Sequence, residues 1–402
     1  MSTFRALRNS YNYRLWAAGA LVSNIGTWMQ RTAQDWIVLT QLTDHQATAV
    51  GITMALQFGP QALLMPLTGY AADHFERRKL LMLTQGCMGL LALCLGVLAL
   101  GGWLALWQVY LLAGLQGCVA AFDAPARQTF VGEMVGDADL ANAVALNSAS
   151  FNSGRLLGPA AAGWVIAGVG TGWALLVNAL SFAAVLLALA RLRSAELHGG
   201  RAPRGRKGLA DGLRYVAARP ALKTVLLMLF LVGTFGLNFP IYISTMAVGV
   251  FHASADEFGL LTSAMAIGSV SGALLAARRA EARLPRLVLA ALVFGVGCGL
   301  AAVAPRYGVF AVLLVLCGVC AQTFTTGCNA LIQLGTEAGM RGRVMALYLC
   351  VALGGTPLGA PLVGWVVDHG GPRWGMAVGA LAGLLGAAVG ALYLLRLRRP
   401  VR

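Results

Sequence analysis

The sequence predicts an all-α membrane protein: twelve transmembrane helices in two six-helix lobes related by pseudo-two-fold symmetry. Three observations lead there. Charged residues make up 11% of the 402 and hydrophobic residues 58%, whereas soluble domains carry roughly 25% charge. No water-soluble fold could hide that much apolar surface, so the solvent is lipid. Second, stretches of about 20 mostly apolar residues, the length a bilayer requires, recur along the whole chain. Third, Gly154-Arg-Leu-Leu-Gly158-Pro159-Ala-Ala-Ala-Gly163-Trp164-Val165 returns as Gly355-Thr-Pro-Leu-Gly359-Ala-Pro-Leu-Val-Gly364-Trp365-Val366. Eight of the twenty positions from Gly154 to Trp173 are identical to those 201 residues later, half the chain away. Two matched Trp pairs among only nine Trp argue against compositional chance. Duplication in a membrane protein points toward a transporter.

The twelve expected spans cover 14–40, 47–72, 80–100, 103–122, 141–168, 172–191, 221–249, 256–277, 285–303, 308–328, 342–367 and 373–395. The first follows Arg5, Arg8 and Arg14, is longer than a signal-peptide core and lacks a small-residue cleavage site, so it reads as a retained span. Residues 192–220 form the one long polar linker, dividing an N-terminal lobe (1–191) from a C-terminal lobe (221–402). Within it Leu209, Leu213 and Val216 share one side of a possible short interfacial helix, with a solvated linker the alternative.

Charge orients the chain. Of 30 Lys and Arg, 26 lie at the termini, in the linker or in the even-numbered connections, and only Arg306 and Arg373 lie on the opposite side. The positive-inside rule then places both termini of this multi-pass protein in the cytoplasm. It also accounts for the net charge of +15 without nucleic acid. The 51 glycines suit close helix contacts in a bilayer. All eight cysteines lie in apolar stretches, so Cys317-x-x-Cys320 reads as small apolar filling rather than a redox or zinc pair. No His falls in a span, and no metal cluster, nucleotide loop or nucleophile elbow occurs. The expectation is a non-enzyme without metal or cofactor, driven by an ion gradient or by its substrate's own gradient.

Polar residues inside the spans are the candidate sites. Asn24, Trp28, Arg31 and Asp35 lie on one face of span one, beside Gln34. A charge at mid-bilayer costs at least ~2.5–3.5 kcal/mol, and Arg31 and Asp35 can offset one another. They form either a structural ion pair or a cavity-lining pair in which Asp35 takes and gives a proton. Span five carries Ser148, Asn152 and Arg155 on one face. Arg155 is either a clamp on a neighbouring helix or an attraction for an anionic substrate. Gly154-x-x-x-Gly158 permits a tight crossing there, and Pro159 bends the helix. In the second half, Thr234 and Asn238 of span seven and Gln322, Thr326 and Asn329 of span ten make polar stripes. These are interhelical glue or the wall of a wet cavity. Asp123 sits where span four is expected to leave the membrane, next to Pro125 and Arg127, and reads as a gate or cap residue.

Gly69-Tyr-Ala-Ala-Asp73-His74-Phe-Glu76-Arg77-Arg78-Lys79 resembles the G-x-x-x-D-[RK]-x-G-[RK]-[RK] loop of the major facilitator superfamily, with His74 and Glu76 departing from the pattern. Gly154, Gly158, Pro159 and Gly163 resemble the fifth-helix antiporter motif of its exporters. Asp123-Ala-Pro125-Ala-Arg127-Gln128, Asn142-Ala-Val-Ala-Leu-Asn147-Ser148 and Arg341-Gly-Arg343-Val-Met-Ala-Leu look like the family of enterobactin exporters and macrolide-efflux-like secretion effectors. The resemblance covers nearly the whole chain. It implies alternating access around a cavity lined by spans one, four, seven and ten. It also implies gating by Gly69, Asp73, Arg77, Arg78, Asp123 and Arg127, and export of a small amphiphile, drug or siderophore-like, against protons. One departure stands out: Gln116-Gly117 is present, but Ala113 occupies the position of the span-four arginine of drug/proton antiporters. Arg31 or Arg155 becomes the replacement candidate. The expected partners are a small-molecule substrate, protons and membrane lipid, with the chain a monomer. The rival readings are an uptake permease, a lipid flippase and a non-transporting scaffold.

Overall fold

The computed structural model describes residues 4–64, 67–68, 75–198, 209–277 and 283–398. They are almost entirely helical. A short α1 (Arg5–Asn9) leads into α2 (Tyr11–Ile37), which starts where the Ser10 hydroxyl accepts the Tyr13 amide at 3.0 Å and ends in a π-turn, Val38–Leu42. Next come α3 (Ala47–Leu63), α4 (Arg77–Leu100), α5 (Leu106–Glu133), α6 (Asp137–Val169) and α7 (Thr171–Ala190). The linker contributes α8 (Leu209–Ala217). The second half holds α9 (Pro220–Leu231), a π-turn (Val232–Gly236), α10 (Phe239–Gly249), α11 (Ala255–Ala277), α12 (Leu284–Ala302), α13 (Tyr307–Leu334), α14 (Ala338–Gly370) and α15 (Pro372–Arg398).

Among the described residues, nine helical segments are long and apolar enough to cross a membrane. The other candidates fall short for identifiable reasons. In α3, 17 residues are described. The helices α2 and α6 are long, at 27 and 33 residues, but are interrupted by polar and charged side chains. These two are the helices that carry Arg31, Asp35 and Arg155.

Two compact units result. The first comprises Met1–Asp44, Gly59–Arg204 and Ser254–Ser263; the second comprises His45–Phe58, Gly205–Ala253 and Ala264–Arg402. In the first unit α2 packs on α6 and α7, and α4 on α5 and α7; in the second, α9 and its π-turn pack on α15 and α14, and α12 on α13 and α15. The same partners thus meet half a chain apart.

The repeated glycines supply these contacts. A Cβ on Gly154 would come within 2.7 Å of the Asn24 backbone, and one on Gly355 within 2.6 Å of Thr234 Oγ1. The third glycine of each copy meets a helix start. In the first unit a Cβ on Gly163 would lie 2.7 Å from Ala255 O, and in the second a Cβ on Gly364 would lie 2.6 Å from Ala47 O. Each copy ends in a left-handed glycine, Gly170 at φ 98° and Gly371 at φ 94°, which stops one helix and lets the next begin at once. The second copy adds Asp368, whose carboxylate accepts the Ala47 amide at 2.6 Å and the Thr48 amide at 3.0 Å. A negative group there also complements the N-terminal dipole of α3.

The expected span 221–249 is found as one candidate span, Pro220–Gly249, but its helix is interrupted. A π-turn and the bend at Leu237–Asn238 separate α9 from α10, where Pro240 can neither donate a helical hydrogen bond nor accommodate the preceding turn. The bend buries Thr234 and Asn238 to 1% exposure, with Asn238 Nδ2 donating to Thr234 O at 2.7 Å. Both are packed side chains, Thr234 lying beneath Gly355 and Gly359.

At the N-terminal edge Asn9 Nδ2 donates to Asp139 Oδ2 at 2.8 Å, and Arg5 pairs with the other carboxylate oxygen. These hydrogen bonds, Asn9's first and Arg5's second, hold the Asp139 carboxyl below the usual aspartate range. Because the folded value is depressed, the contact contributes fully above the unfolded value of ~3.9 and fades as pH falls below it. Hydrogen-exchange protection factors at residues 5–9, corrected for the intrinsic exchange rate, should therefore be flat from neutral pH to that value and fall in stronger acid.

Candidate functional site

Trp28, Arg31 and Asp35 project from one side of α2 at spacings of three and four residues. Arg155 joins them from α6. The register is set by glycine: a Cβ on Gly158 would lie 2.6 Å from Trp28 Cβ, 2.9 Å from Ile25 O and 2.9 Å from Met29 N. The bare backbone lets α6 close on Trp28, which brings Arg155, one turn earlier, over the indole. Arg31 Cζ lies 4.9 Å from a Trp28 ring centroid and Arg155 Cζ 5.7 Å. Phe151 meets Trp28 edge-on at 5.8 Å and 71°. Arg31 feels both the Asp35 charge and the like charge of Arg155.

Two guanidinium groups and one carboxylate leave this cluster with one net positive charge when Asp35 is ionised. Arg155 has neither a hydrogen-bond acceptor nor a carboxylate among the described residues; its contact is the Trp28 ring. Trp28, Arg31, Asp35 and Arg155 are all half-buried rather than sealed. Exposed charge does not face hydrocarbon, so the accessible side of the cluster is wet.

A second polar network surrounds Asp123. Helix α5 continues past it through Pro125 to Glu133. Asp123 is buried to 5% exposure. Its Oδ1 accepts Thr84 Oγ1 at 2.8 Å and Gln85 Nε2 at 2.7 Å, and its Oδ2 accepts Arg127 Nε at 3.1 Å and Nη2 at 3.0 Å. Arg127 extends to Asn24 Oδ1 at 3.4 Å, and Asn24 Nδ2 donates to Ser150 Oγ at 3.0 Å. Asn24 therefore belongs to this network rather than to the Trp28 cluster. Asp123→Ala leaves the Arg127 charge buried without its carboxylate and should cost about 3–5 kcal/mol, read as a lowered Tm in detergent. Asp123→Ala combined with Arg127→Leu should recover part of the loss.

A third group joins Gln30 Nε2 to Gln116 Oε1 at 3.2 Å, with Asn178 donating to Gln30. Ala113, where the family motif has arginine, is buried. Gln34 is buried to 1% exposure, and its Nε2 has no partner among the described residues.

The remaining candidates are dispersed. Asn152 folds back on its own helix, donating to Ser148 O at 2.9 Å. Along α13, Gln322 donates to Thr326 at 3.2 Å and Gln333 to Asn329 at 2.6 Å, all on the accessible side, while Cys317, Phe324, Cys328 and Ile332 are buried opposite. Gly69 and Asp73 lie outside the described residues. Arg77 pairs with Glu133. Arg78 donates to the carbonyls of Leu189 at 2.9 Å and Ala190 at 3.0 Å, capping the last turn of α7.

Sequence reasoning missed Thr84, Gln85, Ser150, Phe151 and Asn178. Their one local signal is polarity inside an apolar run, visible at Thr84-Gln85 and Asn178 and absent for Phe151.

A family model described as transmembrane secretion effector matches residues 1–400. The multidrug efflux pump Tap of Mycolicibacterium fortuitum is 30% identical over 400 residues, covering 94% of each chain. The enterobactin exporter EntS of Shigella flexneri is 25% identical over 331 residues, covering 81% of this chain and 78% of EntS. Among solved structures, a bacterial homologue of the human lysosomal transporter Spinster, inward-facing and unoccupied, superposes with a TM-score of 0.73 at 16% identity, covering 98% of this chain and all of that one. A D-xylose–proton symporter superposes with a TM-score of 0.74 at 14% identity and 97% coverage of both chains.

Proposed function

The chain belongs to the transmembrane secretion effector family of major facilitator superfamily transporters, and from that premise we propose that it exports a small amphiphilic molecule, drug or siderophore-like, by alternating access with proton antiport. The relatives Tap and EntS are named as efflux pump and exporter, which favours export over uptake. The proposed protein is a monomer of twelve spans in two lobes (1–191 and 221–402), in a bacterial inner membrane with cytoplasmic termini.

The observation that carries the reading is the half-buried Trp28–Arg31–Asp35–Arg155 cluster between otherwise apolar helices. A membrane protein does not hold charge inside itself without a partner or a use, since each such charge costs at least ~2.5–3.5 kcal/mol to insert. Asp123 is held by four donated hydrogen bonds and is a structural anchor. Asp35 is the carboxylate of the wet cluster and the group that takes up a proton from one side of the membrane and releases it to the other as substrate moves the opposite way. Proton-driven uptake of candidate amphiphiles into inverted vesicles tests this. Saturable accumulation that collapses with the pH gradient is expected; accumulation in the opposite orientation, driven inward from outside, would overturn export.

A further inference from the structure

We infer that Arg155 and Trp28 form a seat for aromatic molecules bearing a single negative charge, and that this seat sets substrate class. The inference rests on the transport reading above and adds its specificity. Three features point the same way. Arg155 is the one member of the cluster whose charge is not answered: Arg31 faces Asp35, whereas Arg155 finds no acceptor and no carboxylate among the described residues. Its guanidinium is nevertheless held in place, 5.7 Å from the Trp28 ring on a helix locked against Trp28 by Gly158. A flexible surface arginine loses conformational freedom when it binds an anion; this one is preorganised. Finally, with Asp35 ionised the cluster carries one net positive charge, so a monoanion neutralises it. A neutral ligand leaves the excess, and a cation adds to it.

The aromatic requirement follows from the walls. Trp28 and the exposed Phe151, ring centroids 5.8 Å apart, set two ring surfaces beside the guanidinium. A planar apolar body packs there while its anionic group reaches the fork of Arg155 donors, which match a carboxylate in a bidentate way.

The test is equilibrium binding of 1-naphthoate and its uncharged analogue 1-naphthamide to the purified full-length chain in neutral detergent. Wild type should prefer naphthoate by about tenfold or more. Arg155→Gln should bring the two affinities to near parity, and Arg155→Lys should retain part of the preference. Trp28→Leu should weaken both ligands and, by releasing Arg155 from the ring that holds it, also lower their ratio. Gel filtration and Tm identify folded variants, and the wild-type ratio stands independently of any variant. Equal affinities in wild type, no saturable naphthoate binding, or a ratio untouched by Arg155→Gln would each overturn the seat. So would Arg155-dependent binding of phosphatidylglycerol in place of naphthoate, which would assign the charge to a lipid headgroup. The readout needs no gradient. Naphthoate preference without proton-driven flux would overturn export and leave the seat standing, whereas flux without the preference would overturn the seat alone.

Discussion

Asp35→Asn is expected to abolish proton-driven accumulation in inverted vesicles while preserving exchange of labelled for unlabelled substrate across the same membrane. Asparagine keeps the volume and hydrogen-bonding edge of the side chain but cannot carry a proton through the cycle. The cavity still binds and still alternates; what disappears is the link between substrate movement and the pH gradient. The substitution has a second consequence, because Arg31 loses the charge that faces it. Removing one member of a buried pair costs about 3–5 kcal/mol, and the half-buried position of both residues places the effect toward the lower end. The two consequences separate in Asp35→Asn combined with Arg31→Gln. That variant should recover Tm and remain uncoupled. If pH-driven accumulation survives Asp35→Asn at wild-type level, the proton travels by another group.

Gly359→Ala is expected to destabilise the second unit by about 3 kcal/mol or more, at the high end of overpacking effects. The added methyl would fall on the carbonyl oxygen of Thr234, with Thr234 Cγ2 3.1 Å away. Neither side of that contact is the far end of a flexible side chain, so relief requires the helices to separate. Gly158→Ala repeats the experiment in the first unit, where the methyl would meet Trp28 Cβ at 2.6 Å and two backbone atoms at 2.9 Å. It should also displace Arg155 from Trp28. Each helix provides its own control. Gly168 on α6 and Gly342 on α14 have nothing within 4 Å of an added Cβ, and Gly→Ala at such helical sites is neutral or stabilising by about 0.4–1 kcal/mol. Thermal denaturation of the four variants in one detergent distinguishes crossing glycines from incidental ones. Equal Tm for Gly359→Ala and Gly342→Ala would remove the crossing from the account of stability.

Much of the helical architecture was legible in the chain because its signals are local. Apolar run length, the Ser10 cap and the left-handed turn glycines Gly170 and Gly371 act over a few residues. The proline break before α10 is local too: the run 221–249 holds as one span, but hydropathy is blind to the missing amide donor that interrupts its helix. The Trp28, Arg31, Asp35 register was equally local, since it needs only the period of one helix. Asp123 shows the limit. Its polar neighbours in sequence, Pro125 and Arg127, suggest a helix end, whereas its burial depends on Thr84 and Gln85, about forty positions earlier on another helix.

The sequence by itself determined that the chain is helical, lipid-facing and internally repeated, and that charge is concentrated in the first half of the repeat: Arg155 aligns with Thr356. Only the tertiary structure decided which polar residues meet. It placed Asn24 with Arg127 of the Asp123 network rather than with Arg31, buried Asn238, set Thr234 beneath Gly355 and Gly359, and brought Arg155 over Trp28 with no carboxylate partner among the described residues. The reason is physical. Helix formation and membrane insertion are governed by backbone hydrogen bonds and hydropathy along one segment, whereas a buried polar group is satisfied by side chains on other helices. Their proximity depends on how closely glycine lets the backbones approach, and no spacing in the chain records that.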